Sequence, residues 1–142
     1  VSTLPLGWLV DASIALKWFL PLDGEPDGHL ARTAIGHLAM RTTTLAFYEV
    51  GNILTRHSGL DAVRIGAALG LLEDICGDPL ELTSDDRHSA AALALEHKLT
   101  FYDASYVAIA RRTGRRLLSA DSDLTVPKLA ITLQDALAED RV

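Results

Sequence analysis

The sequence predicts an α/β fold, a three-layer α/β/α sandwich around a five-stranded, mostly parallel sheet. Two observations carry this expectation. Short apolar or β-branched runs alternate with segments of helical periodicity along the whole chain, the pattern of strands joined by crossover helices. The 142 residues contain no internal repeat, low-complexity tract or linker-like stretch, so a single domain spanning 1–142, with its own hydrophobic core, is expected.

Each element has its own signal. Residues 7–11 (GWLVD) read as the opening strand, and 12–20 (ASIALKWFL) carry apolar side chains at helix spacing and stop before Pro21. PLDGEPDG is a turn-rich loop, followed by a helix near 27–40 and a short strand at 41–44 (RTTT) suited by its β-branched threonines. Helices are expected at 46–57 and 61–76, the second ending at Gly77 and the Asp78-Pro79 turn, with a strand at 80–83. Ser84 reads as the N-cap of the next helix, with Asp85 and Asp86 complementing its dipole, and that helix runs to about Lys98. Another spans roughly 101–113 and closes at Gly114. Strands at 116–120 and 129–133 and a short helix near 135–140 complete the chain.

Bulk composition narrows the function. An apolar fraction of 49% and a charged fraction of 23% are ordinary for a soluble globular protein. No apolar run approaches the roughly 18 residues of a membrane span. The start of the chain lacks the basic segment and cleavage site of a secretory signal, and the lone Cys76 excludes an intramolecular disulfide, so a reducing cytoplasm is expected. A net charge of −6 argues against a broad basic face for duplex nucleic acid. Any phosphate chemistry must then draw positive charge from metal ions or local Arg/Lys patches; the other option is a basic protein partner.

Five carboxylates stand out by position. Asp11 ends the first strand, Glu49 lies on a helix with Asn52 nearby on the same face, Asp103 opens a helix, and Asp121 and Asp123 follow a strand directly. Ligands of open parallel sheets bind beyond the carboxyl ends of the strands, where Asp11, Asp121 and Asp123 fall. Converging carboxylates repel one another unless a cation relieves them, and an all-oxygen donor set favours Mg²⁺ or Mn²⁺ over zinc. None of the five histidines forms a zinc-type pattern with these acids. Each acid also has a structural alternative. Asp103 can serve a capping arrangement with Thr100, Asp121 and Asp123 can form turns, and Glu49 can face solvent. Asp11 is hardest to dismiss, because an unpaired charge ending an apolar strand is costly to bury.

The residues then meet a family. VDASIALKWFL resembles the first strand and helix of the PIN-domain nucleases, and of the VapC-type toxins of toxin–antitoxin pairs in particular, with Asp11 and a supporting Ser13. LAFYEVGNIL resembles the family helix carrying a Glu and a nearby Asn, here Glu49 and Asn52. FYDASYVAIARRTGRRLLSADSDL resembles its second half, supplying Asp103, Tyr106, Ser119, Asp121 and Asp123. Ser119 stands where the family more often has Thr; the hydroxyl is kept.

What the resemblance implies is a metal-dependent endoribonuclease. Asp11, Glu49, Asp103 and Asp121 would be catalytic and Asp11, Asp103, Asp121 and Asp123 would hold Mg²⁺ or Mn²⁺, with Ser13, Asn52 and Ser119 in support. It further implies an RNA substrate, an antitoxin that inhibits the enzyme, and a homodimer. Two other readings stay open from the residues: an RNA-processing nuclease of the same fold that is not a toxin, and a non-catalytic acidic groove for a basic peptide. A phosphatase reading rests only on Asp121-Ser-Asp123 and fails at position 13, where a second Asp is needed and Ser stands.

The remaining signals read as structural. Arg111, Arg112, Arg115 and Arg116 complement a helix C-terminus more readily than they contact RNA, lying at the far end of the helix from Asp103. Trp18 and Phe19 suit a core or an interface, and Cys76 suits a buried apolar position.

Overall fold

The structure, a computed structural model, describes residues 6–21 and 26–140. Most of the loop expected over 21–28 (positions 22–25) lies outside the described residues.

The sheet is built outward from β1 (Trp8–Val10), whose three side chains are all buried. A central strand of a parallel sheet is covered on both faces, which is why its sequence is continuously apolar rather than alternating. It pairs in parallel with β2 (Met40–Arg41) on one side and β3 (Arg116–Leu118) on the other, giving the order β2-β1-β3. Trp8 and Val10 enter one core and Leu9 the other, as the two-residue period of a strand requires.

The two outer strands expected at 80–83 and 129–133 are each reduced to a single parallel bridge, Leu80 to Thr43 and Ile131 to Leu118. The order of the five segments survives, with 80 and 131 flanking the three strands. Competing local demands shorten the edges. Leu80 exchanges backbone bonds with Thr42 and Thr44, but Thr83 is needed to start a helix; Ile131 bonds to Leu117 and Ser119, but Thr132 caps the next helix through Asp135 N–H. Short edges also give a neighbouring chain little to pair with. Likewise, β1, β2 and β3 stop short of 11, 44 and 120, because residues at their carboxyl ends become helix starts and site residues.

Among the described residues the helices are α1 (Ala12–Phe19), α2 (Gly28–Ala34), α3 (Thr44–His57), α4 (Ala62–Cys76), α5 (Ser84–His97), α6 (Phe101–Arg112), α7 (Ser122–Thr125) and α8 (Leu133–Asp140). The helix expected near 27–40 ends at Ala34, where Ile35 turns extended and Gly36 takes φ +88, turning the chain toward β2. The cap of α5 is Thr83 rather than Ser84. Its side chain accepts from Asp86 N–H while the Asp86 carboxylate accepts from Thr83 N–H, a complete capping box. The short α7 occupies a stretch that reads as a turn in the sequence.

The two cores lie on opposite faces of the sheet and make the predicted three layers. One gathers Trp8, Val10, Ile14, Trp18, Val50, Leu54, Leu72, Cys76, Leu118 and Leu137 from β1, β3 and helices α1, α3, α4 and α8. The other gathers Leu9, Tyr106, Val107, Ile109, Leu117 and Leu124, chiefly around α6, whose residues 104–110 are all buried. Trp18 belongs to the first core, with its indole N–H donating to Ala31 O at 2.8 Å, and Cys76 is buried there as expected.

Candidate metal centre

Asp11 is the N-cap of α1 immediately after β1, and its residue is 3% exposed. Oδ1 accepts from Ile14 N–H at 3.3 Å and from Ser13 Oγ, and Oδ2 accepts from Ser119 Oγ. The two serines complete a relay, since a hydroxyl that donates once can still accept. Ser13 Oγ accepts from Ala120 N–H at 2.9 Å and Ser119 Oγ from Asp121 N–H at 3.0 Å. The step after β3 is thereby fastened to the carboxylate that ends β1, placing Asp121 beside Asp11. Asp121 caps α7, its Oδ1 accepting from Asp123 N–H at 2.9 Å.

Asp103 lies in the first turn of α6. Thr100 Oγ1 accepts from its N–H at 3.1 Å, so the capping alternative is correct for the backbone. The carboxylate is used elsewhere. It shares a hydrogen bond with the Asp121 side chain and feels the charges of Asp11 and Glu49. Glu49 reaches the same hollow from α3, half-buried, its Oε1 accepting from Tyr106 OH at 2.7 Å. Burial and the neighbouring Glu49 keep the phenol firmly protonated and therefore a donor.

The electrostatic consequence is plain. Burial pushes the Asp11 carboxyl up to about 6; the Ser119, Ser13 and Ile14 donors oppose the rise and Glu49 adds to it. Burial, then repulsion from Asp121 and Asp11, likewise raises Asp103 to about 6. Four acids from four separate elements thus share one field, and burial and the neighbouring acids outweigh the hydrogen-bond donors at Asp11. Among the described residues no three His, Cys, Asp or Glu side chains stand as a ready-made metal cage. Asp11 is held by hydroxyls and Glu49 by a phenol, while Asp103 is in hydrogen-bond contact with Asp121. By donor chemistry the set fits a hard divalent cation: all ligands are oxygen, and the repulsion is of the sign a cation relieves.

The remaining expectations divide. Asp123 lies at the rim, exposed, and joins through its backbone. Asn52 is exposed on α3, its Oδ1 accepting from Arg56 Nε at 3.2 Å, and the structure does not bring it to the acids. Two further residues hold the site in place. Tyr106 fixes Glu49, and the buried Thr42 donates to Val10 O at 2.7 Å, satisfying the carbonyl next to Asp11. The Asp-x-x-Tyr spacing pointed at the first; nothing local marked the second.

A family model described as PIN domain matches residues 8–128. Ribonuclease VapC3 of Pyrobaculum aerophilum is 35% identical over 121 residues, covering 82% of this chain and 90% of the relative. Exonuclease VapC9 of the same organism is 31% identical, covering 85% of each. In fold, a toxin–antitoxin complex from Klebsiella pneumoniae matches with a TM-score of 0.69 at 18% identity, over 88% of this chain and 96% of that one.

Proposed function

The chain belongs to the PIN-domain family, and from that premise we propose that it is a divalent-metal-dependent endoribonuclease, the toxin of a toxin–antitoxin pair. The observation that carries the reading is the convergence of Asp11, Glu49, Asp103 and Asp121, with two carboxyls raised to about 6 by burial and mutual repulsion. An acid cluster serving only stability would carry its own cations.

Asp11, Asp103 and Asp121 would hold Mg²⁺ or Mn²⁺, with Asp123 at the rim. Bound there, such ions supply positive charge to the scissile phosphate and acidify the attacking water. The side chains do the rest. Ser13 and Ser119 fix both oxygens of Asp11, so that carboxylate is oriented before substrate arrives. Tyr106 holds Oε1 of Glu49 and leaves Oε2 to take a proton from the incoming water. The all-acidic hollow also suits a basic inhibitory segment from an antitoxin, and metal ions held in it would give an acidic domain a phosphate anchor at the cut bond. A cytoplasmic location and a homodimer belong to the same proposal; no helix of the described residues is long and apolar enough to cross a membrane.

The test is cleavage of single-stranded and structured RNA by the purified chain with Mg²⁺ or Mn²⁺, internal cuts marking an endonuclease. Expression should arrest growth, and co-expression of the adjacent small open reading frame should relieve it. RNA left intact despite measured Mn²⁺ binding would favour the peptide-binding groove instead.

A further inference from the structure

The basic cluster Arg111, Arg112, Arg115 and Arg116 separates in the fold into two kinds of residue. Arg112 is used internally. Its Nε donates to both oxygens of the buried Asp86, at 2.9 and 2.8 Å, and its Nη2 to Glu81 O. Arg116 is also engaged, paired with Glu139 and stacked 4.2 Å over the Trp8 ring. Arg111 and Arg115 are left, and they are joined by a cation far away in sequence. Lys128 follows α7 and holds a left-handed backbone, φ +62, unusual for a side chain with a Cβ.

These three line one cavity of about 240 Å³ between the second half of α6, β3 and the 128–131 segment, with Arg116 at its wall and Leu117 and Ile131 among its apolar lining. No acid lines it. Arg111 and Lys128 are exposed and make no side-chain hydrogen bond or ion pair among the described residues. Arg115, half-buried, reaches only the carbonyl of Thr113, at 3.4 Å, and burial together with Arg41 lowers its guanidinium pKa. Three cations gathered in one cleft, in a chain of net charge −6, make an arrangement that suits an anionic ligand, although Arg111 also borders the neighbouring hollow that Asp85, Asp86 and Glu96 line.

We propose that this cleft is a second RNA-binding site, in which Arg111, Arg115 and Lys128 hold phosphates of the substrate strand away from the cut bond. The proposal rests on the nuclease reading above. Position fits the role. The cleft lies toward the amino end of β3 and the acids beyond its carboxyl end, the five steps from Arg116 to Asp121 spanning about 16 Å if extended. A bound strand would cross the exposed rim at Val126 and Lys128, so only an RNA of several nucleotides would occupy both places. Apolar walls beside the cations suit nucleotides better than a bare ion.

The experiment measures binding rather than cleavage. Labelled single-stranded RNA, as a dinucleotide and as a longer strand, is titrated onto the full chain carrying Asp103→Asn, with and without Arg111→Gln and Lys128→Gln, over a range of salt. Both changed side chains are exposed, so folding is not at stake. We expect the advantage of the longer strand over the dinucleotide to shrink by about tenfold. The slope of log affinity against log salt should fall by about 1.4, two phosphate contacts at about 0.7 each. An unchanged advantage and slope would overturn the second site, as would equal losses for both RNAs. Failure of the nuclease reading looks different: the unmodified chain would cut no RNA with either metal.

Discussion

Asp11 and Asp86 are two buried aspartates at helix starts, 3% and 2% exposed, and they solve the burial of a carboxylate in opposite ways. Burial pushes both upward. At Asp86 the Thr83 N–H, the Arg112 guanidinium and the Thr83 side chain outweigh it and hold the carboxyl below its usual range. At Asp11 the donors are two hydroxyls and one backbone N–H, the charge of Glu49 adds to the effect of burial, and the carboxyl stays up at about 6. One acid has been given its counter-ion by the fold. The other, with Asp103, Asp121 and Glu49, stands in a field of like charge that a bound cation would relieve. That asymmetry separates a structural carboxylate from one kept for chemistry, although the two look alike in sequence.

The largest expected effect falls on activity. Asp11→Asn and Asp103→Asn should each lower RNA cleavage by roughly a thousandfold, the order seen when one element of a charge-stabilising site is removed. Asp86→Asn should leave the rate per folded molecule close to normal. Single-turnover assays at matched folded concentration separate the two outcomes, and an active Asp11→Asn would erase the distinction.

Stability should invert the order. Asp86→Asn breaks a buried ion pair, tempered by the partly exposed Arg112, and should cost about 2–3 kcal/mol in chemical denaturation. Asp11→Asn keeps an N-cap residue of equal quality, and in metal-free protein at pH 7 it should be neutral or stabilising by up to about 3 kcal/mol, the equivalent of a shift from 3.8 to about 6. A large loss in Asp11→Asn would assign that residue a structural role.

The pH dependence follows from the same values. A folded carboxyl that keeps its proton to about pH 6, where the unfolded chain releases it near 3.8, makes the native state bind more protons across that interval. Metal-free stability should therefore fall as pH rises from about 4 to about 6 and then level off. Asp86 acts with the other sign: its contribution is in place above the unfolded value and is lost as pH falls through its lowered folded value. Thermal melts across pH should show a falling limb that Asp11→Asn diminishes and a rising limb at lower pH that Asp86→Asn removes. The smallest effect belongs to Tyr106→Phe, which frees Glu49 from its donor. It should cost about 1–2 kcal/mol and lower cleavage far less than loss of either aspartate.

How much of this could be read in advance depended on the range of the interaction. Helix starts with local caps were legible, down to Thr100 beneath Asp103, because capping is set within three residues. The one misplaced cap, Ser84 for Thr83, arose because adjacent hydroxyl residues offer the same chemistry and only the Asp86 spacing decides between them. Asp11, Asp103 and Asp121 were legible as candidates because each stands at the end or start of an element, whereas Glu49 lies inside α3 and only its helix face pointed to it. Asn52 was not: helix spacing set it beside Glu49, but Arg56 one turn on takes its side chain. Edge strands at 80 and 131 shrank to bridges because capping demands at Thr83 and Thr132 outweighed strand propensity. The cleft joins Lys128 to Arg111 and Arg115, 17 and 13 positions earlier in the sequence, and that meeting depends on the fold.

The most direct test of the central claim is a carbon-detected NMR titration of the aspartate carboxyls in metal-free protein, repeated with Mg²⁺. Two aspartates should titrate near pH 6 without metal, and both should move to well below 4 when Mg²⁺ is added, while Asp86 stays low throughout. Every aspartate titrating near 4 or below, with no response to Mg²⁺, would contradict the account.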